Sequence, residues 1–406
     1  MKKLLVFYIC VFILSACSAG SENYYDVEGF TPVKALDEYV DSSVLLYGDD
    51  EIYFYQIGGE EENSVLTLYE HDLDSNKTRT LGEISRFFMT VDSSVLLEDG
   101  FVFTVCTQEE SGMVNHLYCC KDGRLQELYS QSSSIPMSFV SKVSEEEVIL
   151  FSPDSVIEGN KEYYSYTIKR INLENGKGTE VIQFQYNITD QKGDVVPAVD
   201  YDGGRIYAFK KATGEPDSGY TICSYDLEGG KAAEYDVDIE DFLYLELTSS
   251  YDSVFKIKCF GGRIFVLQTL NNRIIIYEER DDRLVRVKAP EKLSVFPEGY
   301  KLAQYQDGGL GEVYFANMFS DTLIKFDVSS GEFTELKIEK DSPETYISSL
   351  HINPRGDILA CMDDQYRIST KNDFGPITGD DNFPATSDCI RKLQNILSSF
   401  SLLELK

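Results

Sequence analysis

The chain has 406 residues and a formal net charge of −32. That balance excludes nucleic acid as a partner, because gripping a phosphate backbone depends on Lys and Arg to neutralise it. Nine cysteines, three histidines and no tryptophan show no metal-ligand spacing; one or two disulfide bridges at most are expected in place of a full framework, and a chain this long buries a core without such staples.

In chain order, Lys2-Lys3, the apolar run from Leu4 to Ile13 and the small residues before Cys17 form the three parts of an export signal. The segment Leu14-Ser15-Ala16-Cys17 resembles the lipobox of bacterial lipoproteins. The resemblance implies cleavage of residues 1–16, diacylation of Cys17, and a tether over residues 17–32. From Leu4 to Ala16 there are 13 residues, whereas a spanning helix needs roughly 20. Two acyl chains, at roughly 0.8 kcal/mol per buried methylene, hold a protein stably at a bilayer. The expected location is therefore the outer face of a membrane or a periplasm, lipid-anchored, with a mature charge of −34 once Lys2 and Lys3 are gone.

From residue 33 to 376 the chain reads as all-β, with short runs rich in Tyr, Phe, Val and Ile bounded by Asp, Gly and Asn. One core strand recurs about every 50 residues: Glu51–Tyr55, Phe101–Val105, Glu147–Phe151, Arg205–Phe209, Arg263–Leu267, Glu312–Ala316 and Asp357–Cys361. Most copies are entered through residues that tolerate positive φ, such as Gly48-Asp49-Asp50, Asp202-Gly203-Gly204 and Gly261-Gly262; the third has Ser144-Glu145-Glu146 instead. A second run follows, as in Leu68–Leu73, Ser165–Ile171, Thr221–Leu227 and Leu323–Val328, and then a turn and return at Asp74–Lys77, Glu174–Lys177, Glu228–Lys231 and Ser329–Glu332. Each copy is thus a four-stranded meander.

Such meanders cannot bury both faces alone and are satisfied by packing radially, which predicts a seven-bladed β-propeller, with six or eight blades if the long third or fourth copy divides differently. These residues resemble extracytoplasmic propellers of the TolB and YVTN type over about residues 33–374. That resemblance implies blades and no particular chemistry. The seventh copy lacks a clean outer strand, and Val33-Lys34-Ala35-Leu36 is expected to supply it and so pair the two ends of the ring. Residues 377–406 form a tail in which Thr386-Ser387-Asp388 is placed to cap a short helix carrying Ile390, Leu393, Leu397 and Phe400.

Cys106, Cys223, Cys259 and Cys361 lie in apolar runs and are expected as buried hydrophobes, while the adjacent Cys119 and Cys120 should face opposite sides of a strand. No C-x-x-C, G-x-S-x-G, H-E-x-x-H or phosphate-binding loop occurs, so no cofactor or resident metal is expected. Asp72, Asp74, Asn76 and Glu83, with Thr78 and Thr80, match the oxygen spacing of a calcium loop, yet Lys77 stands where that loop needs Gly. The same segment also matches the ordinary blade turns of the other copies.

The connections between second and third strands carry carboxylates in five copies: Glu60, Glu61 and Glu62; Glu109 and Glu110; Asp154 and Glu158; Glu215 and Asp217; Asp363 and Asp364. In a closed ring these copies are neighbours and form an acidic arc, against which solvated loop tips are the plainer alternative. The expected function is a membrane-anchored binding or scaffold module, alone or within a complex, that recognises a protein or envelope component through this loop face. The alternative is a polysaccharide hydrolase or lyase using the same carboxylates. Sugar stacking would fall to Tyr24, Tyr25, Tyr163 and Tyr164, and a closed apolar pocket would instead mark a solute sensor.

Overall fold

The computed structural model describes residues 24–27, 31–39, 42–59, 64–110, 112–133, 138–158, 161–187, 198–211, 220–237, 255–268, 273–281, 283–287, 302–307, 311–317, 322–338, 347–362, 365–369 and 374–376. The expected tail helix after Thr386 lies outside the described residues.

Strand-forming runs and turn residues alternate along the chain, and the described residues are organised as seven sheets built on antiparallel meanders. Sheet 1 holds Ser43–Tyr47, Glu51–Gly58, Val65–Asp72 and Lys77–Ser85. Sheet 2 holds Phe87–Leu97, Gly100–Glu109, Gly112–Lys121 and Arg124–Ser133. Sheet 3 holds Phe139–Lys142, Glu147–Glu158, Lys161–Asn172 and Gly178–Asn187. Sheet 4 holds Ala198–Asp202, Arg205–Lys211, Tyr220–Tyr225 and Lys231–Val237. Sheet 5 holds Phe255–Phe260, Arg263–Gln268, Arg273–Arg280 and Arg283–Arg286. Sheet 6 begins with Leu302–Asp307, Glu312–Asn317, Thr322–Asp327 and Phe333–Ile338, and sheet 7 with Ile347–Ile352, Ile358–Met362 and Gln365–Ser369. Each recurring core run is the second strand of its sheet.

The second strands are buried on both faces, which explains their near-continuous apolar character. In sheet 2, Phe101 and Phe103 pack with Leu66 and Leu68 of sheet 1, while Val102 turns to Val148 and Leu150 of sheet 3. Cys120 joins the first of these cores and Cys119 the second, on opposite faces as a period of two requires. The pattern continues with Phe151 and Ile206 between sheets 3 and 4, Phe209 and Val266 between sheets 4 and 5, and Phe265 and Phe326 between sheets 5 and 6. The first strands of sheets 6 and 7 lie side by side, and Leu359 and Cys361 of sheet 7 pack with Ile52 and Phe54 of sheet 1.

Close approach between sheets is sharpest at two turns. Gly229 has φ of +85° and a Cβ there would sit 2.2 Å from the Val181 carbonyl oxygen, while Gly176, with φ of +68°, stands equally close to the Leu128 carbonyl. Only glycine meets both demands without strain.

Two expectations about the ends need correction. The strand completing sheet 7 is Thr31–Pro32, paired with Ile368 and Arg367, and not residues 33–36. Val33 and Leu36 instead drop into the core between sheets 7 and 1, through a turn and the short 3-10 segment Leu36–Glu38. A two-residue strand ending in Pro carries no alternation to read, and its pairing partners lie more than 300 residues away; Pro at a sheet edge costs no ladder bond. Within the supposed tether, Tyr24–Val27 is also a strand, running parallel to Phe333–Ile338 of sheet 6 and antiparallel to Phe374–Pro376. The edge of sheet 6 is therefore covered by segments from both ends of the described chain.

Candidate functional site

The first strands of sheets 1–5 and 7 line one cavity of about 710 Å³. Consecutive residues of these strands border it, mainly apolar from sheet 1 (Val44, Leu45 and Leu46) and mixed polar and apolar from the others, such as Asp92 and Ser93 of sheet 2 and Ser141 and Lys142 of sheet 3. Asp92, Lys142, Asp202, Lys258 and His351 lie on the wall, with Tyr47, Tyr55, Tyr201 and Cys259 beside them.

Much of this polarity ties neighbouring sheets together. Asp92 Oδ2 accepts the Ser138 N–H at 2.9 Å, joining sheet 2 to the entry of sheet 3, and Ser94 Oγ donates to the Leu45 carbonyl of sheet 1 at 2.9 Å. Just behind the wall, Asp200 is 5% exposed and joins three sheets. Its Oδ1 accepts the Ser141 hydroxyl at 2.9 Å and its Oδ2 accepts the Cys259 N–H at 2.7 Å, with Lys258 Nζ at 3.5 Å. At the same end, Asp202 Oδ2 accepts the Gly262 N–H of sheet 5 at 2.9 Å. Asn353 Nδ2 reaches the Asp49 carbonyl at 3.4 Å, and Arg355 donates to Asp50 at 2.5 Å, linking sheet 7 to sheet 1. Burial pushes the Asp92 carboxyl up to about 6 and the His351 imidazole down to about 4.

A second cluster lies on sheet 2. The Arg86 guanidinium bonds Glu109 and, at 2.9 Å, Glu127. Buried His116 places Nδ1 3.2 Å from Glu127 Oε1 and Nε2 2.9 Å from the Thr107 hydroxyl, with Arg86 at 3.3 Å from Nε2. These partners set the tautomer: Nδ1–H donates to the carboxylate, and Nε2 accepts. Burial lowers the affinity of His116 for a second proton and the Arg86 charge adds to this, while Glu127 works in the other direction. Arg86→Ala is expected to cost about 2 kcal/mol at pH 7.5 by leaving Glu109 without its cation and Glu127 with only the neutral donors His116 and Tyr118. The loss should shrink at pH 5, where His116, facing carboxylates without a competing cation, takes up the missing charge. Urea unfolding at the two pH values and NMR titration of His116 check this.

Of the sequence-derived acids, Glu60, Glu61, Glu62, Glu215, Asp217, Asp363 and Asp364 lie outside the described residues, as does Cys17. Glu109 closes its strand and is held by Arg86, and Glu110 is exposed in the following turn. Asp154 is not a loop residue: it pairs with Ser165 inside a ladder that continues to Glu158 and Lys161. The Pro153-Asp154 pair reads as a breaker, but the cross-strand run through Tyr163, Tyr164 and Tyr166 overrides it, and those tyrosines are strand residues as well. Arg86, which organises the second cluster, stands between two strands with no periodic signal around it.

The calcium-like spacing is a hairpin turn. Asp72 Oδ1 accepts the Ser75 N–H at 2.6 Å, and Asn76 takes the left-handed position at φ of 51°. Glu83 pairs with Thr67, five residues along the ladder from Asp72, or about 17 Å at ~3.4 Å per residue. The hairpin therefore keeps Glu83 away from the other oxygens. All six described cysteines are buried, with burial pushing Cys106 up to about 12 and Cys120 to about 11.

A scan against protein-family models finds no match, and a search of curated proteins finds none either. Among solved structures, the chain is similar to the β-propeller domain of the trilobed protease from Pyrococcus furiosus, with a TM-score of 0.51 and 10% identity over 84% of this chain and 96% of that one. It is also similar to the acylaminoacyl peptidase of Pyrococcus horikoshii, with a TM-score of 0.52 and 11% identity, covering 86% of this chain and 54% of that one. Likeness at this identity is one of fold. The antiparallel meanders and their successive packing, together with these neighbours, make the fold that of a β-propeller.

Proposed function

We propose that this chain is a lipid-anchored extracytoplasmic binding or scaffold module: a closed seven-bladed propeller of the TolB and YVTN type, tethered through Cys17, that recognises a protein or envelope component through its acidic loops. The observation that carries this reading is the use made of the acids on and just behind the channel wall. Asp92, Asp200 and Asp202 each accept a backbone N–H from a neighbouring sheet or its entry segment, as suits a rigid frame that presents loops. Seven sheets that meet in succession support the closed ring. The signal-like start and the lipobox-like Leu14–Cys17 support export and anchoring.

The test is cross-linking in native membranes with the full chain and with a variant in which Glu60, Glu61 and Glu62 become Lys. Capture of one specific protein by the wild type, lost on charge reversal, supports the reading. Recovery of glycan in place of protein, or capture unaffected by the reversal, overturns it.

A further inference from the structure

We propose that the cavity between the first strands is a binding site for a linear aliphatic polyamine, whose methylenes lie on its apolar wall and whose ammonium groups meet Asp92 and Asp202. This goes beyond recognition through the loops and depends neither on it nor on Cys17. At about 710 Å³ the cavity falls within the roughly 300–1,000 Å³ of small-ligand sites. Val44, Leu45, Leu46, Val91, Val95 and Leu96 of sheets 1 and 2 form an apolar strip on which a methylene chain sheds water. Asp92 stands out of its ladder, between the pairs Val91–Val105 and Ser93–Thr104, and a bulge of this kind re-aims a side chain. Asp92 and Asp202 accept the N–H groups of Ser138 and Gly262, neutral donors that leave the carboxylate charge unmatched. Neither carboxylate forms an ion pair among the described residues. The cations of the same wall are already engaged, Lys142 with Glu145 and Lys258 with Asp200. Burial raises Asp92 to about 6, so at pH 7.5 it is an anion whose cost a bound ammonium offsets. His351 has no hydrogen-bond partner among the described residues, and burial keeps its ring neutral. A ring nitrogen is thus open to accept an ammonium N–H.

The wall is made of the last residues of the first strands, among them Tyr47, Leu96, Lys142, Asp202 and Phe260. The cavity therefore opens at the end where first strands turn into second strands. Around this opening stand Asp49 and Asp50 of sheet 1, Glu98 and Asp99 of sheet 2, and Glu145 and Glu146 of sheet 3. The turns are tied to one another, Glu98 N–H donating to Glu145 and Arg355 of sheet 7 to Asp50. Arg355 and Lys142 offset only part of the negative charge. Such a rim gathers small cations before the opening and speeds their entry. The rim supplies attraction; Asp92, Asp202 and His351, set beside the apolar strip, supply the site.

The experiment is calorimetric titration of the purified full chain at pH 7.5 and physiological salt. Spermidine is the probe, with 1,8-octanediol as an uncharged chain, magnesium ion as a compact cation and penta-lysine as a peptide bearing the same ammonium groups. One spermidine is expected per chain, with octanediol and magnesium each weaker by about tenfold or more. Asp92→Asn and Asp202→Asn are each expected to weaken spermidine about tenfold, while Glu146→Gln, on the rim and off the wall, changes it less than about twofold. His351→Leu, which removes an acceptor and breaks no bond of the frame, is expected to weaken it about threefold and keeps the test open if an Asp variant fails to fold, which near-UV circular dichroism reads. Absence of saturable spermidine binding, equal binding of octanediol or magnesium, binding of penta-lysine alone, or an affinity that the folded variants leave unchanged overturns the site.

Discussion

Replacing Phe103 with alanine is expected to lower stability by about 3–5 kcal/mol, with Phe103→Leu costing about 1 kcal/mol. Phe103 is fully buried, its ring 5.5 Å from Tyr118 and 5.9 Å from Phe101, in the core that sheets 1 and 2 share. The lost transfer energy is joined by the cost of a cavity that two twisted sheets cannot close, because their strands are pinned by ladder bonds on either side. In a repeat architecture, stability is a sum of sheet terms and nearest-neighbour interfaces, so one weakened interface is felt by the whole chain. Urea unfolding of the two variants beside the wild type measures it; equal, small losses would show that this core is not what joins the sheets.

The channel carries two titrations that oppose each other. His351 has its imidazole pushed from an ordinary 6.5 down to about 4 by burial. The stability this contributes is present above pH 6.5 and is lost as pH falls toward 4, because the unfolded chain binds the proton first. Asp92 has its carboxyl pushed from 3.8 up to about 6. Its folded form binds the proton first, so the cost of holding the anion is felt above pH 6 and disappears as pH falls toward 3.8. Each shift corresponds to roughly 3 kcal/mol at 1.36 kcal/mol per unit, and channel water reduces this to about 2 kcal/mol. Relative to wild type, His351→Leu is expected to gain about 2 kcal/mol between pH 7.5 and 4, and Asp92→Asn to lose an advantage of similar size over the same range. Urea unfolding across this interval reads both differences, and parallel curves for all three proteins would contradict the assignment.

The repeated core strands were legible because each carries its own evidence. An apolar run such as Ile206–Phe209 or Ile264–Leu267, with its Gly-rich turn in front, is read within ten residues. The split of Cys119 and Cys120 followed from the period of a strand alone. Asp154 was misplaced because the local breaker Pro153 was overruled by pairing with Tyr166 across the hairpin, a preference that belongs to the pair. Arg86 was invisible because its meaning lies in Glu109, His116 and Glu127, which three other strands bring to it.

What the amino-acid order determined by itself was the element: meander, turn and the need of each sheet for neighbours, since alternation and positive-φ turns are local properties. What only the tertiary structure decided was the closing of accounts between distant segments. Thr31–Pro32 completing sheet 7, Tyr24–Val27 covering sheet 6 and Asp200 holding sheets 3, 4 and 5 together are all of this kind. Such pairings are chosen by whichever edge or buried donor is left unsatisfied once the sheets have assembled, and an unsatisfied edge exists only in three dimensions.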